Sequence, residues 1–284
     1  MNDSAPSAPH ASAAHASAAH TPAPHTAAAP VTPAGRSSGS PATAVLKVET
    51  RLFLREFGSL FWIVAFPALL LAILGSIPGF REPDPGQGGL RTVDLYVPVS
   101  VLLALIIAGI QAMPPVLTGY RERGILRRVS TTPVRPRALL TAQVVLHGAT
   151  ALCSAALVLA VGRLAFAVRL PRQLPGYAVA LLLATLVTLT LGAAISARAR
   201  TTKATGVIGT VVFFPMMFCA GVWLPVQAMP GTLRDIVEVT PFGAASQALH
   251  EAAGGSWPSW THLGMLALWS LVLARTARRS FRWE

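Results

Sequence analysis

Tyr120-Arg121-Glu122-Arg123-Gly124-Ile125-Leu126-Arg127-Arg128-Val129-Ser130-Thr131-Thr132-Pro133 closes an apolar run that begins at Val97, and the chain passes from lipid-like to water-like character inside it. No side chain from Val97 to Thr118 is charged, and the run is long enough to cross a hydrocarbon core of about 30 Å as a helix. Beyond it, Ile125, Leu126 and Val129 share one helical face while Arg121, Arg127 and Arg128 occupy the rest, the pattern of a short amphipathic helix lying on a surface. Pro133 and Pro136 stop that helix. A span, a basic surface helix and a fresh span make a cytoplasmic elbow, on which a soluble partner can push.

Working outward, the composition agrees with a membrane fold. Hydrophobic residues make up 53% and charged residues 12% of the chain, and the mean hydropathy is +0.56, whereas soluble proteins carry about 25% charge. Apolar runs predict six transmembrane helices, at Gly58–Ile77, Val97–Thr118, Leu139–Val161, Tyr177–Ala197, Thr205–Val226 and Trp257–Ala274. An interfacial helix over Val45–Phe57 feeds the first. Pro67, Pro114, Pro115 and Pro215 lie inside spans, where they mark kinks whose freed carbonyls neighbouring helices satisfy.

Charge sets the expected orientation. Arg36, Lys47, Arg51 and Arg55, the arginines of the elbow, Arg198, Arg200 and Lys203, and Arg275 to Arg282 all fall on one side, opposed by only Arg81, Arg91, Arg163, Arg169, Arg172 and Arg234. Positive residues favour the inside. Both termini and the elbow are therefore expected in the cytoplasm of a multi-pass cell-membrane protein, and Arg163, Arg169 and Arg172 stand as exceptions on the outer side. The formal charge of +12 is assigned to these anchors and to membrane lipids rather than to nucleic acid, for which no aromatic-interleaved basic domain exists. Cys153 and Cys219 both sit in apolar runs and imply no disulfide framework.

Residues 1–42 are an Ala/Pro/His/Ser-rich tail, expected to be disordered and cytoplasmic for lack of large apolar groups. His10, His15, His20 and His25 recur every five residues, which turns successive imidazoles about 140° around a helix and argues against a metal site. The tail has no basic start and no apolar core, so it is not expected to act as a signal peptide. Residues 43–284 form the transmembrane domain.

Candidate mechanistic residues are few. No span carries Asp, Glu, Lys or Arg in its middle, which speaks against proton coupling. His147, with Gln143 one turn earlier, Gln111, and Thr188 on a stripe with Thr185 and Gly192 are candidates for a substrate path, with ordinary helix packing as the competing reading. No G-x-x-x-x-G-K-[ST] occurs, so nucleotide is expected on another chain. Absence of H-E-x-x-H, G-x-S-x-G and an intramembrane carboxylate pair weighs against an intramembrane enzyme.

Three segments carry a family resemblance. Arg121-Glu122-Arg123-Gly124-Ile125-Leu126 with Thr131-Thr132-Pro133-Val134 resembles the "E-R/K-G-T-L…T-P" segment of ABC-2 type permeases. Phe218-Cys219-Ala220-Gly221-Val222-Trp223-Leu224-Pro225, with Met229-Pro230 and Thr240-Pro241-Phe242, resembles that family's "F-x-x-G-x-x-x-P…P…P" run. Arg278-Arg279-Ser280-Phe281-Arg282-Trp283 resembles its basic-aromatic tail. The resemblance covers Thr43 to Glu284 and implies the permease subunit of an ABC exporter of the daunorubicin-resistance-like drug efflux kind, serving antibiotic resistance. It implies a soluble ABC ATPase partner holding ATP and Mg, a second copy of the chain or a similar permease, and a small hydrophobic cargo. Tyr120, Arg121, Glu122, Arg123, Gly124, Ile125 and Leu126 would then form the coupling helix on the ATPase. Gly221, Pro225, Pro230 and Pro241 would shape a re-entrant outer gate of two short helices, over Leu233–Val239 and Phe242–Ala252. Export of a lipid-linked glycan, an intramembrane enzyme and a passive membrane anchor are the alternatives.

Overall fold

In a computed structural model of the chain, residues 41–85, 89–129, 131 and 136–280 are described. The Ala/Pro/His/Ser-rich tail, Thr132-Pro133-Val134 of the elbow motif and Phe281-Arg282-Trp283 lie outside the described residues. The described residues form ten helices, one two-stranded ribbon and two 3-10 turns, at Pro78–Arg81 and Val226–Ala228, with their connections. Helix α1 is Pro41–Phe53, α2 is Phe57–Ser76 and α3 is Thr92–Glu122. The short α4 is Ile125–Val129, followed by α5 Pro136–Phe166, α6 Leu174–Arg198 and α7 Thr202–Cys219. Then come α8 Gly231–Glu238, α9 Pro241–Gly254 and α10 Trp260–Ser280. Strands β1 Pro83–Asp84 and β2 Leu90–Arg91 pair antiparallel between α2 and α3.

Five helices, α2, α3, α5, α6 and α7, are long and apolar enough to cross a membrane. The chain is thus an all-α, multi-pass membrane protein. The sixth expected span corresponds to α10, which has 21 residues but carries His262, Arg275, Arg278 and Arg279 and is correspondingly less apolar. Helix α7 stops at Cys219, short of the expected Val226, because Gly221 takes a φ of 88° and turns the chain out of the helix.

Helix α3 is the axis of the bundle. Its apolar window is 89% buried, against 22% for α2 and 17% for α7. It packs against α2, α5, α6 and α7, while α10 runs along α6 and α9. The closest approach joins α3 to α6, where a Cβ on Gly109 would meet Thr188 Cγ2 at 2.5 Å and one on Gly192 would overlap the Gly109 carbonyl oxygen. Only glycine permits that crossing, the small-residue packing that lets membrane helices touch backbone to backbone.

Prolines reshape two of these helices. Pro67 and the Pro114-Pro115 pair lack the N–H that would bind the carbonyls of Ile63, Ile110 and Gln111, and the turns before them open into π-helix at Phe61–Ala65 and Ile107–Ala112. Ser154 Oγ of α5 donates to the nearby Val64 carbonyl at 3.4 Å, inside the bulged turn of α2. At Pro67 and Pro114-Pro115 the kinks expected from sequence are therefore bulges in otherwise continuous helices, whereas Pro215 lies inside the α-helical α7 without one.

Candidate functional site: elbow and central cavity

The elbow begins where α3 runs out. Arg123 ends the helix, Gly124 adopts a φ of 66° that a side chain would resist, and α4 turns across the end of the bundle. The amphipathic reading of α4 is realised. Leu126 is buried with Tyr120 and Leu139, Ile125 packs on the same cluster, and Arg127 and Arg128 face out. Leu126 therefore serves the chain's own core, since a notch beside Tyr120 and Leu139 already exists to receive it.

Other elbow residues also point inward. Tyr120 Oη donates to Glu49 Oε2 of α1 at 2.6 Å, and Gln143 Nε2 of α5 reaches the same oxygen at 2.6 Å and Tyr120 Oη at 2.7 Å. A carboxylate that is only 8% exposed is tolerable because these donors satisfy it. Arg121 donates to the Ser196 carbonyl at 3.0 Å and to that of Ala199, at the C-terminal end of α6. Glu122 Oε2 accepts the Thr202 N–H at 2.8 Å, at the start of α7. A cation on a helix C-terminus and an anion on the next N-terminus both complement the helix dipoles, so two adjacent elbow residues clamp the α6–α7 turn. Thr205 Oγ1 adds a buried bond to Thr118 Oγ1 at 2.9 Å. Of the seven coupling residues expected, Tyr120 and Leu126 are buried, Arg121, Gly124 and Ile125 are partly exposed, and Glu122 and Arg123 are exposed.

Midway along the bundle, α2, α3 and α7 enclose a cavity of about 530 Å³. Trp62, Phe66, Phe213 and Met217 supply its bulk, and Gln111 its amide. Among the described residues, no charged side chain lines it. Trp62 belongs to one π-helical turn and Gln111 to the other, so both bulged segments open on the same space, and such bulges concentrate at functional sites. Of the three expected path residues, Gln111 reaches this cavity and two do not. His147 is buried against Phe53 with ring centroids 5.0 Å apart, its Nδ1 at 2.9 Å from the Gln143 carbonyl. Thr188 bonds the Ala184 carbonyl at 2.7 Å and packs on Gly109.

A family model for ABC-2 type transporters matches residues 42–252. The chain belongs to the ABC-2 type transporter family. Membership gives it a membrane setting and implies an ABC ATPase partner, with this chain as the permease subunit. No individually curated protein matches this ABC-2 chain.

At the end of the ABC-2 bundle away from the elbow, the Pro-rich segment folds into α8 and α9, close to the two short helices expected. Pro225 precedes a 3-10 turn, Pro230 precedes α8 and Pro241 opens α9, each where a missing N–H costs nothing. Phe242, Ala244, Ala245, Ala248, Leu249 and Ala252 of α9 are wholly buried. Thr240 Oγ1 caps α9 by accepting the Gly243 N–H at 3.1 Å.

A polar cluster ties these helices together. Arg234 and Glu238 pair at 2.7 Å, Gln247 Nε2 bonds the same Glu238 oxygen, and His262 of α10 sits between Glu251 at 3.1 Å and Glu238 at 3.8 Å. Burial alone would raise the Glu238 pKa, but the hydrogen bonds from Arg234 and Gln247 with the nearby positive charges hold it below the usual 4.5. A depressed carboxylate stabilises the fold above its unfolded pKa and loses that contribution as pH falls through the folded value. Wild-type protein is therefore expected to unfold at a higher temperature than Glu238→Gln at neutral pH, with the difference closing below about pH 4. Thermal unfolding across a pH series checks this; a gap that persists in acid contradicts it.

Sequence reasoning missed Glu49 and the Glu238–His262–Glu251 cluster. Glu49 had a signal: with Leu46 and Phe53 it lies on one face of α1, and a carboxylate on an apolar face demands a buried partner.

Proposed function

We propose that this chain is the permease subunit of an ATP-driven exporter that moves a neutral, flat, hydrophobic drug or natural product outward, working as two copies with separate ATPase subunits. The cavity between α2, α3 and α7 carries this reading. Aromatic faces and a methionine suit a planar apolar cargo, a single amide at Gln111 orients it, and the absence of lining charge disfavours an ion. A lipid-linked glycan would ask for more polar walls, and a passive anchor has no use for a cavity bracketed by two bulged helices. Both α2 and α7 expose most of their apolar surface, which supports a second copy docking against the open side of the cavity and doubling its lining.

In this scheme α10 is the sixth span, both termini and the elbow are cytoplasmic, and α8–α9 is a re-entrant gate on the outer side. The ATPase docks on the elbow surface around Arg123, Gly124, Arg127 and Arg128, while Glu122 is engaged by the Thr202 N–H. Its closure moves α3 directly, and moves α7 through Arg121 and Glu122, so the two cavity walls shift together. The exporter hydrolyses nothing on this chain; ATP and Mg belong to the partner.

Daunorubicin, titrated at a pH above the pKa of its amino group so that its flat fluorescent ring system enters uncharged, tests the cargo class. A Trp62→Ala, Phe213→Ala variant of the purified protein is expected to bind it at least about tenfold more weakly, a fair loss for two aromatic contacts. Unchanged affinity in a variant that folds like wild type would remove the cavity from the transport path.

A further inference from the structure

A second cavity, of about 560 Å³, lies at the bundle end away from the elbow. The β1–β2 ribbon, the start of α3, the α5–α6 connection and the end of α9 form its walls. Arg91, Asp94, Arg169, Arg172 and His250 are its polar lining, and Leu90, Leu95 and Val168 its apolar floor. Asp94, the one carboxylate among these lining residues, is consumed internally: its oxygens accept from Arg91 at 2.7 Å and 2.9 Å. Arg91 spends its remaining reach on the Phe166 carbonyl at 3.1 Å, at the C-terminal end of α5. That pair is neutral. Arg169 and Arg172, both exposed, leave the cavity with an excess of positive charge over an apolar floor.

The connection that bears them is also greasy. Leu164 is 85% exposed, Leu170 51% and Leu174 64%, and they alternate with Arg163, Arg169 and Arg172. Leucines this bare at the end of a span belong in acyl chains, while neighbouring arginines extend their heads to the phosphate layer. The cavity mouth and these leucines therefore sit at one depth, the boundary between headgroup and hydrocarbon.

We propose that this cavity binds the phosphate of an anionic phospholipid, with Arg169 and Arg172 as ligands and Leu164, Leu170 and Leu174 against its acyl chains. The inference rests on α5 and α6 being spans, as under Proposed function. It gives two of the three arginines that break the charge asymmetry of the loops, Arg169 and Arg172, a reason to stay where they are: both are offset by lipid rather than by protein.

Native mass spectrometry of the full-length chain in neutral detergent, titrated with phosphatidylglycerol, phosphatidylcholine or glycerol 1-phosphate, tests it. One phosphatidylglycerol per chain is expected to survive at concentrations where phosphatidylcholine does not. Arg169→Gln, Arg172→Gln is expected to weaken that binding about thirtyfold, as loss of two arginines from an anionic surface should. Arg163→Gln, which lies off the cavity, and Arg172→Lys, which keeps the charge, are expected to retain it. Equal binding by the double variant, or none by wild type, overturns the site. Glycerol 1-phosphate competing as well as the lipid overturns the lipid assignment in favour of a soluble anion. Matching melting curves confirm that the variants fold. Binding in detergent is blind to sidedness, so an inverted topology would show instead in labelling of Arg163→Cys by a membrane-impermeant maleimide.

Discussion

Gly192→Ala is expected to destabilise the bundle by at least about 2 kcal/mol, although the same exchange in an ordinary helix stabilises by about 1 kcal/mol. The sign reverses because the new methyl group has nowhere to go. It would overlap the Gly109 carbonyl oxygen and lie 2.9 Å from Met113 Cε. Of these, only the methionine can move without displacing a helix. Relief requires α6 to withdraw from the π-helical turn of α3, which also lines the cavity, so cargo binding should fall together with stability. Gly206→Ala on α7 is the matched control, since a Cβ there meets nothing within 4 Å. Melting temperatures in detergent check both: a fall of roughly 4–8 °C for Gly192→Ala, and no fall for Gly206→Ala. Equal behaviour of the two would contradict the close crossing of α3 and α6.

Arg121→Gln, Glu122→Gln is expected to cut transport at least about tenfold while leaving the ATPase complex intact. Each residue makes a charge-assisted bond to a helix end, and together they tie the base of α3 to the α6–α7 turn. Without them, movement of the elbow still reaches one cavity wall through α3 itself. The other wall, carried by Phe213 and Met217 of α7, loses its charge-assisted ties and keeps the Thr118–Thr205 bond and the α3–α7 packing. Arg123, Gly124 and the outer face of α4 are untouched, so the ATPase should still co-purify and hydrolyse ATP. Loss of drug-stimulated hydrolysis with retained basal hydrolysis would show the uncoupling. Transport at the wild-type rate in the double variant would rule out force transfer through α7.

The spans and the elbow were legible in sequence because both depend on local composition. Apolar runs report burial in lipid or protein whatever the partner, and Gly124 followed by Ile125, Leu126 and Val129 marks the break and the face of α4. The short helices after Gly221 were legible for a similar reason, since Pro230 and Pro241 can open a helix but not continue one. What local pattern does not carry is which residue meets which. Tyr120, Arg121 and Glu122 read as a knob offered to a partner, whereas tertiary contacts with Glu49, the Ser196 carbonyl and the Thr202 N–H turn all three toward their own bundle. Proline announced irregular helices without saying that two bulges would open on one cavity. Nor could Gln111, His147 and Thr188 be ranked before α7 was seen to pass Gln111 and leave the other two enclosed.

The most direct measurement is drug accumulation in proteoliposomes holding the purified chain with or without an ABC ATPase partner, with the elbow outward and ATP added outside. Daunorubicin is expected to accumulate in the lumen above its outside concentration only when partner and ATP are both present, and no further than passive equilibration with the chain alone. Accumulation by the chain alone, or with the partner but without ATP, would show that the elbow does not deliver the driving force.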